Sequence, residues 1–351
     1  MNSIPNFKNF PTHDSLSELK SYLENSKYEE KISTITSLWK VIPAMPTHYK
    51  IDGSIDIWYL EEQVIIMKEK WIDTILVAWT TWESFSMTHN EQSKYIKQAI
   101  EIGQKYKINI LAWTWGNSMI EQESMTKNAF KSWASACLIL PPYYIKWSYI
   151  WMLEHFASAL QHWPCIIYSI KWRTSIEVPN EVIKALKYKF PNNLLWVKEC
   201  DWSEKIKELV ESGIQVWTWN DDVSIKDIKE KWAIWAISVI ANLDPTLMLK
   251  ISSKEILTQK DISRVEILSK LMFPAGYPNP LAIHNATYMI RYKLNKNIPV
   301  FRDNQWPFNN NQQEYIKNGL DYLDIPAEVF WENYIWLKKE ADISRKEIIP
   351  K

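Results

Sequence analysis

The chain has 351 residues, with 41 Lys plus Arg against 41 Asp plus Glu, 6 His and 3 Cys. That balance leaves no global field to draw in nucleic acid or anionic lipid. The cysteines (Cys137, Cys165 and Cys200) sit in apolar or strand-like stretches, which points to reduced thiols and not to a disulfide framework. No CxxC or HExxH spacing occurs and the histidines are scattered, so no metal is expected.

In chain order, residues 1–28 are polar and hold no apolar core of signal-peptide length, and 1–36 read as an N-terminal extension. From about residue 37, short apolar runs alternate with amphipathic segments. The expected strands are 38–44, 74–78, 108–112, 136–140, 165–168, 194–198, 214–218 and 233–238. Helix-like stretches between them include 90–106, 120–131, 149–161, 180–189 and 204–212. Eight repeats of strand then helix predict an α/β chain folded as a (β/α)8 TIM barrel over 37–258. A doubly wound open sheet is the alternative, but no GxGxxG-like opening follows the first strand. Beyond 259 the pattern is helical to 351, with a Pro-rich interruption at 274–280 and a polar loop at 303–313. The longest apolar stretch, 232–243, is far short of a membrane span. A soluble cytoplasmic protein with no nucleic-acid or membrane partner is expected.

The chain carries 21 Trp and only 6 Gly, where average usage would give roughly 25 glycines. Many of the tryptophans follow strands, at turns that need φ > 0 or close backbone approach, which only glycine gives freely. Trp79-Thr80-Thr81-Trp82-Glu83-Ser84 follows one apolar run, and Trp113-Thr114-Trp115-Gly116-Asn117 follows another. With glycine for tryptophan these become GTTGES and GTGGN. The pattern predicts that most are UGA codons, read as glycine by the organism and printed here as tryptophan. The alternative is a tryptophan-rich protein such as an aromatic carbohydrate binder, which would display tryptophans on exposed faces. The abundance of Lys, Ile and Asn fits the A/T-rich codon usage in which UGA reassignment is less surprising.

Chemistry in such a barrel gathers at the C-terminal ends of the strands. There the sequence places Thr80-Thr81, Tyr143-Tyr144, Tyr168 and Lys198, with Arg173 five residues after Tyr168. A lysine in Leu194-Leu195-Trp196-Val197-Lys198 would point into the barrel, where desolvation lowers its pKa and frees an amine to attack a carbonyl. A strand-end lysine paired with Glu199 or solvated is the alternative. Thr80-Thr81 could be an ordinary helix cap, the tyrosines core or interface aromatics, and Arg173 a surface arginine.

In this order these residues resemble the pyruvate-dependent class I aldolase superfamily, and within it the 4-hydroxy-tetrahydrodipicolinate synthase family, its plant-type branch most. The matching segments run from about residue 39 to 333: THYKIDGSID (47–56), WTTWES, LPPYY, YSIKWRT, LWVKE, WTWNDD and WAISVIAN. The family motifs are GTTGES, PYY, YNVPSRT or YNVPGRT, GVKE, SGNDD and GVISV.N. At positions that include Trp71, Trp79, Trp82, Trp113, Trp115 and Trp133 the family usually has glycine, which supports the codon reading independently. Trp217 is the exception, since the plant-type branch can carry tryptophan there. Lys171, His48 and Ser169 depart from the family's proline, proline and asparagine, and Gln92 from a histidine.

The resemblance implies condensation of pyruvate with L-aspartate 4-semialdehyde through a Schiff base on Lys198, giving 4-hydroxy-tetrahydrodipicolinate with no external cofactor. Tyr168 would be the general acid/base, relayed through Thr80 to Tyr144, a residue the family contributes to a neighbouring subunit's site in a homodimer or homotetramer. Thr81 would hold the pyruvate carboxylate and Arg173 that of the semialdehyde, with the backbone at Trp219 and Ile237 lining the pocket. Ser84, His89, Asn117, Glu121 and Tyr143 match the positions that bind inhibitory L-lysine. A solvated helix N-terminus is the plainer account of Asn117 and Glu121. Arg173 argues against sialic-acid lyases and sugar-acid aldolases, which replace it. Another aldolase of the superfamily, or a non-catalytic paralogue whose tryptophans are real, are the competing functions.

Overall fold

A computed structural model describes residues 14–31, 41–50, 52–79, 84–144, 146–200, 203–217, 221, 236–274, 281–295 and 310–325. Among these residues eight strands run in chain order: β1 (Val41–Pro43), β2 (Thr74–Val77), β3 (Asn109–Trp113), β4 (Ala136–Ile139), β5 (Cys165–Ser169), β6 (Leu194–Glu199), β7 (Val216–Trp217) and β8 (Ala236–Ser238). Each falls where an apolar run leads one to expect it. Among the strand residues only Asn109 and Leu195 are not fully buried. Strands buried on both faces are the mark of parallel sheets covered by helices.

The helices are α1 (Leu16–Glu24), α2 (Ile57–Glu69), α3 (His89–Tyr106), α4 (Met119–Lys131), α5 (Tyr149–Leu160), α6 (Lys171–Thr174), α7 (Asn180–Lys189) and α8 (Ser203–Glu211). Four more follow: α9 (Pro245–Ser252), α10 (Gln259–Met272), α11 (Leu281–Asn295) and α12 (Asn310–Tyr322). The chain divides into two compact units.

The first unit comprises residues 1–34, 114–127 and 137–216. In it β4, β5 and β6 pair in parallel, with Cys137 beside Cys165 and Ile139 beside Ile167. All three cysteines are free thiols. The β5–β6 register slips by one between Cys165 and Ile166: Cys165 pairs with Leu194, but Ile166 pairs with Trp196. Leu195 is the extra residue. Beyond it Tyr168 faces Lys198 and Ser169 faces Glu199. Helix α1, started by a Ser15–Glu18 capping box, packs on α5 and α7 through Leu19 and Leu23. Glu30 then accepts the main-chain N–H groups of Asn192 (2.8 Å) and Asn193 (2.6 Å).

The second unit comprises 35–113, 128–136 and 217–351. There β8 pairs with β1 (Ile42 beside Ile237), a parallel bridge joins Ala44 to Leu76, and β2 pairs with β3 (Leu76 beside Leu111). Helix α2 packs on α3, α9 on β1, and α12 on both α10 and α11. Trp79, Trp113 and Trp217 are wholly buried here.

Six helix ends among the described residues share one geometry, and Lys107, Lys254 and Asp324 take the left-handed position at three of them. After α8, Gly213 at φ 79° donates to Val210 O, and Ile214 N–H donates to Leu209 O. Trp71 after α2 (φ 63°) and Trp133 after α4 (φ 70°) close the same pair of hydrogen bonds. This is the left-handed helix stop for which glycine is the usual residue. Both rings stand in solvent, 87% and 72% exposed.

Candidate active site

The site begins with a strand alignment. Parallel pairing sets Tyr168 beside Lys198, and the two-residue period of a strand turns both to one face. Both side chains are buried, Lys198 completely, and the lysine Nζ stands 4.4 Å from the centre of the tyrosine ring. An ammonium over an aromatic face is attracted by the ring quadrupole. Of the two sequence readings of Lys198, the buried one holds. Glu199 points to the other face and forms an ion pair with Lys205.

Strand β4 leads into Pro141-Pro142 and the paired tyrosines. His155 of α5 ties this end down, its Nε2 lying 3.0 Å from Leu140 O. A carbonyl only accepts, so Nε2 carries a proton. Tyr143 N–H donates to Asn117 Oδ1 at 2.7 Å, and its ring packs against Trp115 at 5.6 Å. Glu121 serves the start of α4: its Oε2 accepts from Ser118 N–H and its own N–H donates to Ser118 Oγ, both at 3.2 Å. Burial, then the Glu121 carboxylate, raises the Tyr143 phenol above its ordinary pKa. Asn117, Glu121 and Tyr143 are thus brought together. Tyr144 is different: its backbone is left-handed (φ 82°) and its side chain is 90% exposed.

Arg173 lies on α6, a single turn that starts immediately beyond β5. Its guanidinium carbon sits 4.6 Å from the Trp172 ring centre. Thr174 Oγ1 bonds to the carbonyls of Ile170 and Ile176 (3.0 and 2.9 Å), and Ser175 ends the turn in a left-handed conformation.

The second unit holds Ser84, buried in a short 3-10 turn, His89, the exposed first residue of α3, and Ile237, buried in β8. Thr80, Thr81 and Trp219 lie outside the described residues. One residue here went unnamed in the sequence. Asp221 is buried, and its Oδ2 accepts from the main-chain N–H groups of Val239 and Ile240, each at 3.0 Å. It thereby fixes the chain just past Ile237. The signal was its place in the Asn-Asp-Asp run beyond the seventh strand.

Among the described residues no group of three or more His, Cys, Asp or Glu could hold a metal ion. None of their helices is long and apolar enough to cross a membrane.

The model of the dihydrodipicolinate synthetase family matches residues 37–286. The 4-hydroxy-tetrahydrodipicolinate synthase of Coix lacryma-jobi, named chloroplastic, is 31% identical over 320 residues, 90% of this chain and 80% of that one. Its Zea mays counterpart, also named chloroplastic, is 31% identical over 329 residues, 93% of this chain and 82% of that one. Among solved structures, dihydrodipicolinate synthase from Aquifex aeolicus aligns with a TM-score of 0.75 at 24% identity, across 83% of this chain and all of that one. The Cyanidioschyzon merolae enzyme, solved with lysine bound, gives 0.74 at 20% identity, across 82% and 98%. The fold is that of these enzymes, the (β/α)8 barrel expected from the strand count. With a family model spanning most of its length and relatives of nearly full length at 31% identity, the chain belongs to the dihydrodipicolinate synthetase family.

Proposed function

We propose that Lys198 is the amine that captures pyruvate in the family's reaction, the condensation of pyruvate with L-aspartate 4-semialdehyde to 4-hydroxy-tetrahydrodipicolinate. The observation that carries this is its complete burial in register beside Tyr168. A dry amine attacks the keto carbon, water leaves, and the imine becomes an electron sink that lets a methyl proton go. The enamine attacks the aldehyde carbon, and the product cyclises as the lysine is released. Tyr168 moves the protons, with Thr80 and Tyr144 completing the relay. The exposed, left-handed Tyr144 suits a residue offered to a second subunit, hence a homodimer or homotetramer. Thr81 takes the pyruvate carboxylate and Arg173 that of the semialdehyde, a task for a planar two-donor fork. The backbone at Trp219 and Ile237 lines the pocket. In the same reading 37–258 form the catalytic barrel, 1–36 an extension and 259–351 a helical region, and the enzyme is cytoplasmic. Borohydride reduction with pyruvate tests it: a stable adduct is expected on Lys198, and its absence removes the assignment.

Most of the tryptophans in this reading are glycines written by UGA. Trp71 and Trp133 occupy the stop that Gly213 fills with glycine. A bulky residue there costs roughly 1–2 kcal/mol. The gene should show UGA at these codons and UGG at any true tryptophan, and the mass of the native protein should fall accordingly. UGG throughout sinks this part alone.

A further inference from the structure

Behind the lysine and tyrosine the same two strands carry a second aligned pair, Ser169 and Glu199. The strand period turns them away from the reactive face, toward α8. Lys205, in the first turn of α8, reaches both: its Nζ lies 3.0 Å from Glu199 Oε2 and donates to Ser169 Oγ at 3.2 Å, with Glu177 Oε1 at 3.7 Å. The Lys205 side chain is 9% exposed and that of Glu199 is 0%. Glu199 Oε1 accepts the Cys200 N–H at 3.0 Å, and the same N–H reaches Ser169 O at 3.1 Å. One cation thus ties together the residues that immediately follow Tyr168 and Lys198.

A buried ion pair is a poor source of net stability, because desolvating two charges offsets most of their attraction. What it supplies is direction: the ammonium fixes where both oxygens lie. We propose that Lys205 is a positioning residue, whose clamp on Ser169 and Glu199 holds the β5–β6 register and with it the distance between the Lys198 amine and the Tyr168 ring. The proposal rests on Lys198 being the amine that captures pyruvate. A misplacement of about 1 Å at reacting groups can cost about a hundredfold in rate, so loss of the clamp reads out in turnover.

The variants are K205R, K205M and K205M/E199Q. K205M alone strands a buried carboxylate and can fail to fold. The double variant replaces the pair with uncharged side chains of similar shape, and its active sites are counted by borohydride trapping with pyruvate. Per trapped site, kcat of the double variant should fall about ten- to a hundredfold, with little change in the KM for pyruvate, and K205R should restore most of it. A double variant with the parent's kcat per trapped site overturns the proposal. If the parent enzyme itself traps no pyruvate on Lys198, the functional reading fails first and the positioning role with it.

Discussion

Tyr168 and Lys198 face each other because β6 carries one residue more than β5 between their first and second pairs. Were Cys165–Leu194 pairing continued without the slip at Leu195, Tyr168 would fall beside Val197. A one-residue shift moves a side chain to the opposite face of a sheet. The bulge is therefore what gives the tyrosine ring an amine 4.4 Å away and not an isopropyl group.

That contact separates two roles of Tyr168. Tyr168→Phe keeps the ring under the amine and removes only the hydroxyl. Turnover should fall by about 10²–10⁴, the usual worth of a positioned acid/base, while pyruvate remains trappable on Lys198. Lys198→Met should lose trapping altogether. Steady-state kinetics with mass analysis of the borohydride-treated protein reads both. A Phe variant with the parent's kcat would take the proton-transfer role away from Tyr168.

The helix stops give a test that needs no substrate. In the chain as printed, Trp71→Gly and Trp133→Gly should each raise stability by about 1 kcal/mol, through relief of the left-handed strain. Gly213→Trp should lower it by a similar amount. Both tryptophan rings are largely exposed, so little buried apolar area is lost to confuse the sign. Urea midpoints decide it: a lower midpoint for the two glycine variants would show that these positions prefer tryptophan.

How far the fold was legible follows from the same physics. All eight strands could be read because they are continuous apolar runs, and their ends differ from the expected ones by at most three residues. Helix α2 is harder to see: exposed Trp58 and Ile66 blur the stripe formed by Tyr59, Leu60, Val64 and Met67. Helix α1 was not read: its Ser15–Glu18 capping box and its buried Leu19 and Leu23 lie in a polar setting that makes the segment read as an extension. That Tyr168 and Lys198 end neighbouring strands was legible because each closes a continuous apolar run. The Lys205 clamp was not, since nothing in sequence ties Ser169 to a lysine 36 residues on. Asp221 stood in view within its acidic run, but its partners are backbone N–H groups that no side-chain pattern encodes.

L-lysine should inhibit the enzyme at millimolar concentration. Asn117, Glu121 and Tyr143 already stand together, and the Ser118–Glu121 exchange fixes where the carboxylate lies. Glu121→Gln retains an oxygen to accept the Ser118 N–H and removes the negative charge offered to the ligand's α-amino group. Half-inhibition should then need about tenfold more lysine, the equivalent of about 1.4 kcal/mol. Activity unaffected by lysine in the parent enzyme removes the regulatory assignment and leaves the catalytic one standing.

Two buried histidines set the acid limit of the fold. Burial pulls His155 down to about 4 and His284 down to about 3 from an ordinary 6.5. The folded state therefore holds both neutral, while the unfolded chain protonates them as pH falls below 6.5. More protons bind to the unfolded form, so stability is intact above 6.5 and drops on acidification, until pH passes the folded values. Each group contributes about 1.4 kcal/mol per pH unit within its window. From pH 6.5 to 5 the two together should remove about 4 kcal/mol. Asp261, held at about 2 by hydrogen bonds from Lys250 and Thr258, acts only at lower pH and does not enter this interval. His155→Gln keeps a donor for the Leu140 carbonyl and cannot titrate, so it should remove about half of the share that these two residues make. His162, also lowered mainly by burial, adds to the loss in the same sense. Urea unfolding at pH 7 and pH 5 measures it. An unchanged gap between the two midpoints in this variant would mean that His155 is protonated in the folded protein, and that its bond to Leu140 is made by an imidazolium.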